Sequence, residues 1–128
     1  MGSAAQLEKA QTFIKYVNVY DYDAVAPLLS PDFVYRVLPR SLHGTLQAEF
    51  IKLLQDLPAM ITQLNFQPLL DVIQGHDVVV IHVYGKLSSG GEYKNEYVFM
   101  IRFRREEICK VKEFMDSKYL SGIFGEQN

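Results

Sequence analysis

Across residues 64–115, apolar and polar side chains alternate in four successive stretches separated by turn signals, which commits the second half of the chain to antiparallel sheet. The spacing predicts strands over 64–73, 78–87, 92–104 and 108–115. Gly75-His76-Asp77, Ser88-Ser89-Gly90-Gly91 and Arg105-Glu106-Glu107 supply the connections. Pro68 cannot donate to a ladder, so the first of these strands is expected at an edge or to carry a bulge.

The segment 95–119, NEYVFMIRFRREEICKVKEFMDSKY, is the most telling part of that sheet. Every second side chain of a strand shares a face. One face of the third long strand therefore holds Asn95, Tyr97, Phe99, Ile101 and Phe103, and one face of the last holds Cys109, Val111, Glu113 and Met115. A carboxylate among apolar neighbours must be paired, protonated or wet, because burying an isolated charge is very unfavourable. Glu113 is thereby marked for chemistry.

Helices precede the sheet. Leu7, Ala10, Ile14 and Val17 recur at helical spacing with Phe13, Tyr16 and Tyr20 beside them, giving a helix over 5–20 with a wide buried face. Asp23 is placed to cap a short helix over 24–29, with Pro27 near its start, and Ser30-Pro31 ends it. A strand over 33–38 stops at Pro39. Leu46, Phe50, Leu53, Leu54 and Leu57 then mark a third helix, with Gly44 or Thr45 as cap and Pro58 as stop. The order α-α-β-α-β-β-β-β implies a single α+β domain over 1–128, its helices covering one face of a curved, mostly antiparallel sheet.

Composition narrows the function classes. Of 128 residues, 48% are hydrophobic and 22% charged, with a formal net charge of −2 and no basic block, which argues against nucleic acid as a partner. A single cysteine, Cys109, excludes an intrachain disulfide and reads as a reduced core thiol. The N-terminus lacks a basic-then-apolar signal pattern, and the longest apolar run, 78–84, is broken by His82 and too short to span a bilayer. The expectation is a cytoplasmic protein without a membrane partner. Strand 78–87 is apolar on both faces: Val78, Val80 and Tyr84 on one, Val79, Ile81, Val83 and Leu87 on the other. A sheet covered on one side only would show a polar second face, so a homodimer through the outer sheet face is expected.

This element order, with Asn95-Glu96-Tyr97 and the run Glu113-Phe114-Met115-Asp116-Ser117 followed by Tyr119, resembles the SnoaL-like branch of the NTF2-like superfamily. The C-terminal residues are similar to the signature of a fungal subgroup that includes meroterpenoid isomerases and cyclases; a semipinacol-type rearrangement enzyme of indole alkaloid pathways shares the fold. The resemblance implies a cone of helices packed on a curved mixed sheet around a cavity. It also implies a hydrophobic small-molecule substrate and catalysis by acids, bases and hydrogen-bond donors without metal or organic cofactor. Two departures stand out. The meroterpenoid members carry a neutral residue where this chain has Arg36, and a Gly-Arg-Pro-like loop where it reads Leu42-His43-Gly44-Thr45-Leu46.

The candidate residues each have a functional and a structural reading. Desolvation would raise the Glu113 pKa toward neutrality and make it a general acid or base; otherwise it is a structural carboxylate held by an Arg or a Tyr. Arg36, among Val34, Val37 and Leu38, would polarise a carbonyl or stabilise an oxyanion, or else pair with Glu113 in the core. Tyr97 would donate to substrate oxygen, with Tyr93 and Asn95 binding along the same strand; buried tyrosines also simply pack. Tyr16 and Tyr20 would close the cavity from the first helix, and His43 would sit at its mouth. Asp116, three residues after Glu113, falls on the other face unless the strand end bends, and otherwise caps the next turn. His82 reads as a satisfied sheet residue. Neither His43 nor His82 pairs with His76 or a carboxylate at ligand spacing, so no metal site is expected.

These residues describe a cofactor-free acid/base isomerase or cyclase acting on a hydrophobic, oxygenated secondary metabolite. The alternatives are a non-catalytic ligand-binding or dimerisation module, in which Glu113 and Arg36 pair with each other, and a hydratase or epoxide hydrolase built on a carboxylate-held water.

Overall fold

A computed structural model describes residues 3–38, 45–56, 63–88 and 92–115. Helix α1 (Ala4–Val17) is followed by a short α2 (Tyr22–Val25) and a 3₁₀ turn (Ala26–Leu28). Strand β1 (Leu29–Leu38), a two-residue β2 (Thr45–Leu46) and α3 (Gln47–Asp56) come next. The chain then runs through β3 (Gln63–Gly75), β4 (Val78–Ser88), β5 (Glu92–Arg104) and β6 (Glu107–Met115). The six strands form one sheet in the order β2-β1-β6-β5-β4-β3. Every neighbouring pair is antiparallel except β1 with β6, which is parallel. The expected α+β architecture is what the structure shows.

Alternation decides which face of the sheet is covered. Val79, Ile81 and Val83 of β4, Tyr97, Phe99, Ile101 and Phe103 of β5, Val111 of β6, and Phe33 and Tyr35 of β1 are all buried. Ala10, Phe13, Ile14 and Val17 of α1 and Phe50 and Leu54 of α3 close the same core from above. Removing this apolar surface from water is the main force holding the layers together.

The ends of α1 show how local sequence fixes its seat. Ser3 caps the helix, its hydroxyl accepting from the Gln6 amide at 3.0 Å. At the other end the Tyr20 amide donates to the Val17 carbonyl and the Asp21 amide to the Tyr16 carbonyl, with Tyr20 in the left-handed region at φ 56°. That double bond pattern normally recruits glycine, because a Cβ is disfavoured there. Near the N-terminus, Gln6 Nε2 donates to Asp77 Oδ1 at 2.8 Å and to the Arg105 carbonyl at 2.6 Å. Asp77 and Arg105 are the left-handed residues of the β3–β4 and β5–β6 turns, so one buried amide ties the helix to two hairpins.

Several expected boundaries move. The short helix is capped by Asp21, whose Oδ1 accepts from the Ala24 amide at 3.1 Å, and not by Asp23. Pro27 then tightens the continuation into a 3₁₀ turn, as a residue without N–H allows at a helix start. Ser30 and Pro31 lie inside β1, because that strand begins at Leu29 to meet Ile108 of β6. Thr45 opens β2 rather than capping α3; Gly44, Pro39 and Pro58 lie outside the described residues. β3 is both an edge strand and shifted in register between Phe66 and Leu69, which brackets Pro68. Between Arg102↔Lys110 and Phe103↔Ile108 the last strand uses one extra residue, Cys109, so Ile108 and not Cys109 shares the core face with Val111.

Candidate functional site

Glu113 projects from β6 onto the covered face, directly across from Phe99 on β5 and beside Val37 on β1. It is 8% exposed, buried among Val111, Phe99 and Tyr97. Burial, which penalises the charged form, raises its pKa from an ordinary 4.5 to about 7; the hydrogen bond from Tyr35 works in the opposite direction. The carboxyl is therefore close to half ionised at neutral pH, the condition under which one group can both give and take a proton.

Tyr35 is the residue that the sequence did not single out. It lies two positions before Val37 on β1, and the parallel ladder sets it against Val111, so its hydroxyl reaches Glu113 and donates to Oε1. Burial first, then the negative charge of Glu113, raises the Tyr35 pKa well above 10.0. The phenol keeps its proton throughout the physiological range and acts as a fixed donor. Among the described residues Tyr35 is the hydrogen-bond partner of this carboxyl, which it meets at Oε1. The Tyr35 ring rests on Phe50 of α3 at 4.6 Å between centroids, and Phe50 also meets Phe33 at 5.3 Å and Phe13 at 6.0 Å. This aromatic floor keeps water from the pair and sustains the raised pKa.

Tyr97 stands on the same face as Phe99, 2% exposed, its ring 6.4 Å from that of Phe99. It is close enough to Tyr35 to contribute to that residue's raised pKa. The structure thus brings Glu113, Tyr35 and Tyr97 together on one wall. Tyr16 and Tyr20 pack half-buried against the core from α1 and the turn after it. Tyr93 and Asn95 of β5 pair in register with Leu87 and Gly85, but their side chains lie outside the described residues, as do His43 and Asp116 altogether.

Arg36 is not brought to Glu113. It falls between Tyr35 and Val37 and pairs in register with Lys112, so alternation turns its side chain to the opposite face of the sheet. Of the apolar neighbours that drew attention to it, Val34 stands on the same face, two residues before Arg36. His82 is on that reverse face too, with Nε2 2.9 Å from Glu96 Oε1. Among the described residues no group of three or more His, Cys, Asp or Glu is placed to hold a metal, and no helix is long and apolar enough to cross a membrane.

The Tyr35 hydroxyl should be what holds the Glu113 pKa down. Tyr35→Phe removes a hydrogen bond that favours the carboxylate, so the pKa is expected to rise by about one unit or more above its wild-type value. Following the Glu113 side-chain ¹³C shift against pH measures it; an unchanged or lower midpoint would contradict the assignment.

The sequence matches the SnoaL-like domain over residues 10–111. The chain belongs to the SnoaL-like domain family. Tyr35 and Tyr97 of this SnoaL-like chain fall within the matched span, whereas Glu113 stands two residues beyond it, so its place rests on the geometry above. No curated protein matches the sequence. The SnoaL-like fold superposes on an NTF2-like protein of unknown function from Burkholderia pseudomallei with TM-score 0.85 and 14% identity, covering 97% of this chain and 100% of that one. It is similar to PrhC from Penicillium brasilianum, with TM-score 0.83 and 14% identity over 93% of this chain and 85% of that one. It is also similar to the pinacolase BvnE from Penicillium brevicompactum, with TM-score 0.81 and 22% identity over 94% of this chain and 92% of that one. Likeness at these identities establishes an NTF2-like fold; chemistry belongs to the site.

Proposed function

We propose that the protein is a cofactor-free acid/base isomerase or cyclase of the rearrangement type, acting on a hydrophobic, oxygenated secondary-metabolite intermediate. The observation that carries this reading is a carboxyl with a pKa near 7, buried on an aromatic wall and oriented through one oxygen by a phenol that does not ionise.

In this reading protonated Glu113 gives its proton from Oε2 to a substrate oxygen, which weakens the adjoining C–O bond or activates a carbonyl. A bond migrates or a ring closes, and the carboxylate then removes a proton from the rearranged skeleton. Glu113 returns to its starting form and substrate and product are isomers. Tyr35 is a positioning residue: it fixes the carboxyl and tunes its acidity. Tyr97 donates to the substrate oxygen on which charge develops. Phe99, with Phe50 beneath Tyr35, excludes water and holds an apolar skeleton in one reactive conformation. A pinacolase among the proteins of similar fold supports a rearrangement.

The non-catalytic alternative predicts that Glu113 pairs with Arg36; the two stand on opposite faces of the sheet, which favours the catalytic reading. The experiment is incubation of a terpenoid epoxide and an α-hydroxy ketone with wild type and with Glu113→Gln, followed by mass spectrometry. Conversion to a product of unchanged mass, with kcat/KM governed by a group near pH 7 and at least about 100-fold lower in Glu113→Gln, is expected. A product heavier by one water would instead identify a hydratase or epoxide hydrolase, and turnover unaffected by Glu113→Gln would remove Glu113 from the chemistry.

A further inference from the structure

Among the buried polar side chains described, Glu113 is the one that can carry a charge. The others are spent elsewhere, Gln6 on the Asp77 and Arg105 turns and Ser30 on Asp32. The cations of the flanking strands turn away. Arg36 and Lys112 pair on the reverse face, alternating with Tyr35, Val37, Val111 and Glu113. What surrounds the carboxyl is aromatic. Phe99 stands directly across from it on β5, with the Tyr97 ring nearly parallel to that of Phe99, at 19°. Tyr35 meets it from β1 and rests on Phe50 of α3. The described titratable groups facing Glu113 are thus two phenols, Tyr35 of β1 and Tyr97 of β5, while β6 and α3 contribute Val111 and Phe50.

Each part of this wall favours positive charge. An aromatic face is negative and attracts cations, and a carboxylate does so more strongly where water is excluded. The reaction assigned to the site generates such a charge. When the Glu113 proton passes to an epoxide or hydroxyl oxygen, the C–O bond breaks with its electron pair going to that oxygen. The carbon is left positive, and Glu113 is left beside it as a carboxylate. An anionic intermediate would face the same rings, with Arg36 and Lys112 on the far side of the sheet.

We propose that the site selects positive charge: its substrate is an uncharged apolar skeleton whose C–O bond opens to a cationic carbon, and a protonated amine of that shape occupies the site as a mimic of this state. The proposal rests on the acid/base reading of Glu113 and narrows it to one substrate class.

Three ligands on one bicyclic skeleton test it: decahydroquinoline as the ammonium, decalone as the neutral ketone and decalin carboxylate as the anion. Isothermal titration calorimetry at about pH 8, where Glu113 is ionised, is expected to rank them. The ammonium should bind at least about 10-fold tighter than the ketone, and the anion at least about 10-fold more weakly. At about pH 5.5 the carboxyl is protonated and the lead of the ammonium should shrink. By reciprocity the bound ammonium must lower the midpoint of the Glu113 ¹³C titration, by about one unit for each 10-fold of that lead. Glu113→Gln should erase the lead. Equal affinities, an anion held as tightly as the ammonium, a Glu113 midpoint unmoved by the ammonium, or no binding by any of the three would overturn the proposal. Affinity is read in this experiment and turnover in the isomerase assay, so the two readings fail separately. Charge preference without isomerisation would remove the reaction and keep the ligand class, and isomerisation without charge preference would do the reverse.

Discussion

Glu113→Gln is expected to melt higher than the wild type at pH 8, and the two proteins are expected to converge below pH 4.5. The folded-state pKa of about 7 lies above the ordinary 4.5 of an unfolded chain. Below 4.5 the carboxyl is protonated in both states and contributes nothing to the pH dependence. Between 4.5 and about 7 the unfolded chain releases its proton while the folded protein retains it, so wild-type stability falls as pH rises, and it levels off above 7. A displacement of this size corresponds to up to about 3 kcal/mol. Gln keeps the shape and an oxygen to accept from Tyr35 but cannot ionise. Thermal denaturation across pH 4–8 checks the expectation, and a melting difference independent of pH would refute a buried near-neutral carboxyl. Taken with the turnover assay, a variant that is more stable and inactive would mark a group retained for chemistry at a cost in stability.

Phe50→Ala is the substitution expected to damage the fold most. The ring is 2% exposed and contacts Phe13 of α1, Phe33 and Tyr35 of β1. Removing a fully buried phenylalanine costs about 3–5 kcal/mol, against a total stability of about 5–15 kcal/mol for a domain. A second consequence separates this position from ordinary core. Water entering the space under Tyr35 would resolvate Glu113, whose pKa should drop from about 7 toward 4.5. Urea denaturation measures the first effect and ¹³C titration of Glu113 the second. Destabilisation with an unmoved Glu113 pKa would mean that the aromatic floor does not govern the acid.

Glu113 was legible in the sequence because one rule sufficed: period-two alternation placed a carboxylate on one face with Val111 and Met115, and the register then set it across from Phe99. Tyr35 was not, because nothing near it in sequence announces its partner. The contact is made by a parallel ladder between strands whose relevant residues are 78 positions apart. Arg36 attracted attention through apolar neighbours at adjacent positions, yet adjacent strand residues point to opposite faces. Applying to Arg36 the rule that found Glu113 would have set the arginine with Val34 and brought Tyr35 forward in its place. The Asp21 cap was missed for a more local reason, since Asp21 and Asp23 offer the same side chain and only the exit geometry after Tyr20 decides between them.

The parallel pairing of β1 with β6 also has a bearing on the order in which the protein can be built. Strands β3 to β6 are successive hairpin partners and can zip from local contacts, whereas β1 has only the two residues of β2 beside it until the last strand arrives. Closing so long a loop is entropically slow, so β1 docks late. Because β1 also covers Glu113 as it docks, the burial that raises the proton affinity of this acid is complete only once the sheet is. A form in which β1 has not docked is expected to hold this carboxyl nearer the ordinary 4.5, which would make the Glu113 proton a reporter of whether the sheet is complete.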